Sequence, residues 1–117
     1  PTPLAGVEVT PRQVDHGEGI TAFGLRVRDA EKTFAYSGDT KWVDALPVLA
    51  EAADLFVVEC YAFDRDLPTH TDYRTLQAHL DELTARRIAL THMSGCMLER
   101  RDTLRLETLD DGRVIDL

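Results

Sequence analysis

Thr33-Phe34-Ala35-Tyr36-Ser37-Gly38-Asp39-Thr40 is a short apolar run that stops at Ser-Gly and delivers one carboxylate. Around it strands alternate with helical spacing, the pattern of an α/β layered domain. In open α/β sheets ligands bind at the carboxyl ends of the strands, and Asp39 falls at such an end. Three other titratable residues have the same placement: His16 follows Val7 to Val14, Glu59 follows Leu55 to Val58, and His92 follows Ile88 to Thr91. Neighbouring strands lie about 4.8 Å apart. Two histidines and two carboxylates on one sheet edge are therefore close enough to converge on one or two metal ions.

Before this stretch, Leu4 to Val14 alternates loosely and reads as a strand, with Pro11 marking an edge or a bulge. Gly17-Glu18-Gly19 interrupts it, and Ile20 to Val27 resumes with Phe23, Leu25 and Val27 on one face. The two segments form a hairpin-like pair with His16 at its turn. After Thr40, the spacing of Val43, Leu46, Ala50 and Ala53 predicts a helix from about Val43 to Ala53, with Pro47 tolerable only near its first turn. Leu55-Phe56-Val57-Val58 is a continuous apolar run, the mark of a strand buried on both faces. A polar loop brings in His70, and Tyr73, Leu76, Leu80 and Leu83 stripe a second helix with Thr71 or Asp72 as its N-cap. His70 then precedes a helix N-terminus, which disfavours an imidazolium and favours contact with an anion. Arg87 to Thr91 is the next strand. Ser94 can cap a short helix through Met97 to Arg101, and Leu104 to Leu117 reads as a terminal strand pair turning at Asp110-Asp111-Gly112.

The chain has 117 residues, 44% hydrophobic and 29% charged, the size and balance of a single globular domain. No apolar run approaches the roughly 20 residues of a membrane span. Pro1-Thr2-Pro3-Leu4 lacks the features of a signal peptide, which makes the cytoplasm the expected location. Cys60 and Cys96 form no C-x-x-C and are expected to be reduced thiols. A net charge of −8 opposes stable nucleic-acid binding, which depends on Lys and Arg displacing counterions from phosphates. Arg86-Arg87 and Arg100-Arg101 read as solvated surface.

His79 lies mid-helix among leucines and reads as structural or surface. His16, His70 and His92 sit in loops or at strand ends, where scaffolds place chemistry. From the residues alone Asp39 either ligates a metal or caps the helix after it. Glu59, ending a buried strand, needs a partner or a metal because an unpaired buried charge is costly.

Taken together, Val14-Asp15-His16 before Phe23-Gly24-Leu25-Arg26-Val27, Tyr36-Ser37-Gly38-Asp39-Thr40, Glu59-Cys60, His70 before a helix, and Leu90-Thr91-His92-Met93-Ser94 resemble the C-terminal half of a metallo-β-lactamase-fold hydrolase. Their order resembles the branch containing ribonuclease Z and small phosphodiesterases. The resemblance implies an α/β fold: half of an αββα sandwich, a mixed β-sheet with helices on one face, over residues 1–117. It also implies that His16 ligates one zinc, Asp39 bridges two, and His92 ligates the other, with manganese or iron as possible replacements. His70 would stand beside the scissile group and Glu59 would support it. The implied reaction is hydrolysis of a phosphodiester or other small ester by metal-bound hydroxide.

The H-x-H-x-D-H loop that supplies most of the ligands in such enzymes has no counterpart in this sequence. Nor has the basic insertion between the Phe23 and Tyr36 strands that resembles the tRNA-binding arm of ribonuclease Z, so transfer-RNA processing is not the expected activity. The expected partner is a complementary N-terminal half or a second copy of the chain, covering a sheet face that would otherwise stand bare. The rival expectation is a non-catalytic metal-binding or assembly module. A nucleotide-binding module is disfavoured, because no G-x-G-x-x-G or P-loop occurs.

Overall fold

Alternating side chains in Val7–Val14 and Ala22–Arg28 let these segments zip together antiparallel, with Val14 opposite Ala22 and Glu8 opposite Arg28. The computed structural model describes residues 1–117. Its seven strands lie side by side in chain order: β1 (Thr2–Leu4), β2 (Val7–Val14), β3 (Ala22–Arg28), β4 (Thr33–Tyr36), β5 (Leu55–Glu59), β6 (Ile88–Thr91) and β7 (Glu107–Thr108). Pairing is antiparallel from β1 to β4 and parallel from β4 to β7. The expected first strand is in fact two, because Ala5 and Gly6 both take positive φ and fold β1 back onto Val7–Val9. Pro11 lies beyond the reach of β1 and is paired only to Leu25, so its missing N–H falls on an edge, and the register continues without a bulge.

The three helices are α1 (Ala45–Ala50), α2 (Tyr73–Ala78) and α3 (Gly95–Arg100). Because β4 to β7 advance in one direction, crossovers of one hand carry these helices to the same face of the sheet. Leu46, Leu49, Leu76 and Met97 from the helices pack there with Ala35, Phe56, Val58 and Leu90 from the strands. α1 is shorter than its spacing suggests, since Ala52 takes φ +49° and stops it where no glycine announces an end. α2 starts as expected, with the Asp72 side chain accepting from the Thr75 amide at 2.9 Å, but it passes into a 3₁₀ turn at Leu80–Glu82. The expected terminal strand pair does not form. Glu107–Thr108 alone joins the sheet, and although Gly112 (φ +78°) does turn the chain, Ile115 then packs across Leu55, Val57 and Ala89 instead of pairing as a strand. Burying that side chain on the open sheet face competes with extending a two-residue edge.

The register places Phe23 and Leu25 with Phe34, Tyr36, Leu55 and Val57 on the face away from the helices. The C-terminal tail covers only part of this face, and Phe23 and Leu25 remain 49% and 37% exposed. No helix is long and apolar enough to cross a membrane.

Gly24 is the tightest point between sheet and helices. A Cβ there would stand 2.5 Å from Leu49 Cδ1 and 2.9 Å from the carbonyl oxygens of Tyr36 and Ser37. Leucine can turn aside, but the two backbone oxygens can only move with the loop that carries Asp39. Gly24→Ala is expected to lower stability by about 1–3 kcal/mol through overpacking. Gly95→Ala, which meets nothing within 4 Å, is the control. Urea midpoints compare the two, and equal midpoints would contradict the steric account.

Candidate metal centre

His16, Asp39 and His92 follow strands, Glu59 ends one and His70 lies in the loop before α2; at Asp39 and His92 a left-handed backbone turn delivers the side chain. At the end of β4, Gly38 takes φ +64°, with its own Cβ position blocked by the Phe23 carbonyl oxygen at 2.6 Å, so only glycine fits the turn that delivers Asp39. Asp39 does not cap α1: Asp44 holds that position, without a side-chain hydrogen bond. The capping alternative for Asp39 is thereby excluded. At the end of β6, His92 adopts φ +54°, a left-handed conformation that costs a non-glycine residue on the order of 1–3 kcal/mol.

The imidazoles cluster. His16 and His70 stand 5.0 Å apart between ring centroids, edge to face, and His70 and His92 are stacked at 5.2 Å. His92 Nδ1 lies 3.8 Å from Asp39 Oδ1. His16 Nδ1 is 2.9 Å from the Thr69 carbonyl oxygen. A carbonyl can only accept, so Nδ1 donates and Nε2 is left as the free lone pair, the arrangement that orients a ligating histidine. Five residues singled out by sequence thus gather at one edge, with Glu59 beneath His70 and the other four facing outward. His79 stands apart, stacked on Trp42 at 4.3 Å and in contact with Glu82.

Glu59 is fully buried at the end of β5. Its Oε1 accepts from the Thr40 amide at 2.8 Å and from His70 Nδ1 at 2.7 Å, while Oε2 has no partner. Burial pushes its carboxyl above the usual range, and the Thr40 and His70 hydrogen bonds hold it partly down. Burial likewise pushes the Cys60 thiol far up, which leaves it an inert neutral group. Cys60 and Cys96 are both free.

Several supports could not be read from residue types. Thr40 donates its amide to Glu59, its Oγ1 accepts from the Asp15 amide at 3.0 Å, and its carbonyl accepts from Thr71 Oγ1 at 2.8 Å. It therefore ties the loops of His16, Asp39 and His70 together. Tyr61 stacks on His70 at 4.9 Å and lies 5.6 Å from His92. Its position two residues beyond Glu59, at a strand end, was the available signal.

The donor types fit a divalent metal, with imidazole and carboxylate nitrogen and oxygen atoms. Their number does not complete a site: no three His, Cys, Asp or Glu side chains meet in a geometry that holds an ion.

A mixed sheet with all helices on one face, and strand-end histidines and an aspartate along one edge, defines half of a metallo-β-lactamase-type sandwich. Residues 1–93 match the model of the beta-lactamase superfamily domain, and the chain belongs to that family. It is 32% identical over 97 residues to the uncharacterized protein ML1173 of Mycobacterium leprae, a match covering 80% of this chain and 34% of that protein. The metallo-beta-lactamase fold protein YhfI from Bacillus subtilis superposes with a TM-score of 0.74 at 20% identity, over 92% of this chain and 48% of that one. A diphosphatase from the PhnP family gives 0.81 at 22%, over 99% and 46%. The short form of human tRNase Z gives 0.74 at 20%, over 98% and 45%. The chain therefore spans about half the length of these structures and about a third of the curated relative, and the fold expected from the sequence is the one observed.

Proposed function

We propose that this chain carries the C-terminal half of the active site of a metal-dependent hydrolase acting on phosphodiesters or other small esters. A complementary N-terminal half, or a second copy of the chain, supplies the remaining ligands. The observation that carries this reading is the shared strand edge, where His16, Asp39 and His92 flank His70 and a buried carboxylate orients the His70 ring. Family membership supports hydrolysis, and the diphosphatase and tRNase Z among the structural relatives favour phosphate esters.

In this reading His16, through Nε2, Asp39 and His92 would hold the metal. The metal, zinc by donor type, would supply Lewis acidity and a water made acidic enough to attack at neutral pH. His70 is fixed by Glu59 so that Nδ1 donates inward and Nε2 faces the substrate side, where it can hold or give up a proton at the leaving oxygen. The exposed Phe23 and Leu25 face is where the complementary half would pack.

The absence of a three-donor cluster favours a second reading, a non-catalytic assembly module whose histidines hold one metal or none. Elemental analysis and light scattering on one purified sample separate the two. A dimer or heterodimer with about two metals per site supports the hydrolase. A full-length protein, complementary half included, that stays metal-free under zinc supplementation overturns it in favour of the module.

A further inference from the structure

Beyond Tyr61 the chain forms a hollow of about 320 Å³, whose lining includes Tyr61, Phe63, Leu67, Arg65 and Cys96. Its volume is at the lower end of the roughly 300–1,000 Å³ of small-molecule pockets, room for a single ring system and not for a polymer. Its walls are preset. The Tyr61 amide donates to the Thr71 carbonyl at 3.0 Å, and the Tyr61 carbonyl accepts from the Ser94 amide at 2.9 Å, which ties this wall to the loops of both His70 and His92. Phe63 is stacked on Tyr73 at 5.8 Å and carries the Arg100 guanidinium 4.4 Å above its ring. Tyr61, 39% exposed, is shared between this hollow and the histidine cluster.

We propose that the hollow binds a flat aromatic group of the substrate, esterified to the phosphoryl or acyl centre that lies at His70. This rests on the hydrolase reading given above. An aromatic ring suits walls built from Tyr61, Phe63 and Leu67, since offset or edge-to-face packing adds to the burial of apolar area. A second phosphate does not suit it, because the one cation in the lining, the exposed Arg65, is offset by the neighbouring Asp64 carboxylate. Tyr61 is shared by the hollow and the stack on His70, so a ring held against Tyr61 is one side chain removed from that histidine. Tyr61 is thus a specificity-determining residue.

The test is binding of phenyl phosphate and methyl phosphate to the full-length protein with its complementary half, measured by titration calorimetry. Phenyl phosphate is expected to bind at least about tenfold more tightly. Tyr61→Ala should erase that preference by removing a wall, and Cys96→Phe should erase it by filling the space. Equal affinity for the two phosphates, no measurable binding of either, or a preference that survives both variants would overturn the assignment. Hydrolysis is measured in parallel. If no ester is cleaved while the phenyl preference holds and responds to both variants, the hydrolase reading fails and the aromatic site stands. If esters are cleaved without any phenyl preference, the reverse is true.

Discussion

His70→Ala should lower the stability of the protein by about 3 kcal/mol, and the loss should be greater at pH 8 than at pH 5. The expectation follows from Glu59, whose carboxylate is fully buried and shares its one satisfied oxygen between the Thr40 amide and His70. Removing one partner of a buried pair typically costs 3–5 kcal/mol, because the other charge is left uncompensated. The His70 side chain is 18% exposed, which puts the estimate at about the lower end of that range. The sign of the pH effect comes from linkage. Burial already raises the Glu59 carboxyl above its unfolded value, and losing the His70 hydrogen bond raises it further. A folded state that holds a proton more strongly than the unfolded state is favoured at low pH, and that advantage disappears as pH rises through the folded value. Urea unfolding of wild type, His70→Ala and His70→Ala/Glu59→Gln at both pH values reads this directly. The double variant should recover part of the loss at pH 8, and a loss that is flat with pH would refute the buried-carboxylate account. On the proposed hydrolase reading, ester hydrolysis should fall in the same variants, since they remove the ring assigned to proton transfer or the group that orients it.

Asp39→Asn should strip the assembled protein of metal, with an affinity loss of more than about 100-fold, since even groups that merely orient ligands cost 10–100-fold. The substitution preserves size and leaves the Gly38 turn intact, but it replaces an anionic carboxylate, the proposed metal ligand, with a neutral amide. His79→Ala is the control, because His79 is stacked on Trp42 away from the cluster. Metal content after equilibrium dialysis against zinc buffers measures both. Equal loss in the two variants would remove Asp39 from the site.

Backbone periodicity made most of the sheet legible. The continuous run Leu55 to Val58 could only be a buried central strand, and the switch from period two to helical spacing after Thr40 placed the first parallel crossover. Where the sequence misled, the cause lay in single backbone conformations at ordinary residues. Ala52 takes positive φ without being glycine, so the early end of α1 had no composition signal, and at the first hairpin Gly6 alone marked a turn whose other residue, Ala5, is ordinary. The tail after Leu104 alternated like a strand pair, yet Ile115 found apolar partners on the sheet face, a tertiary choice invisible to local pattern. In the site, strand-end residues could be collected because their position follows from topology. The Thr69 carbonyl behind His16 and the Thr40 amide behind Glu59 could not, since backbone groups carry no residue type.

The change from antiparallel to parallel pairing at β4 also bears on the order of assembly. Strands β1 to β4 are linked by Ala5-Gly6 and by the short segments 15–21 and 29–32, whereas β5, β6 and β7 pair only after crossovers over 37–54, 60–87 and 92–106. Closing long loops must precede the contacts that reward it, so the N-terminal meander is the fast-forming unit and the parallel half follows. Until then β4 presents an unpaired edge, and it is across this late seam that Asp39 comes to face His92 and Thr40 comes to cap Glu59. The chemistry contributed by residues 1–117 is therefore assembled last, and of the site residues in this segment only His16 belongs to the meander.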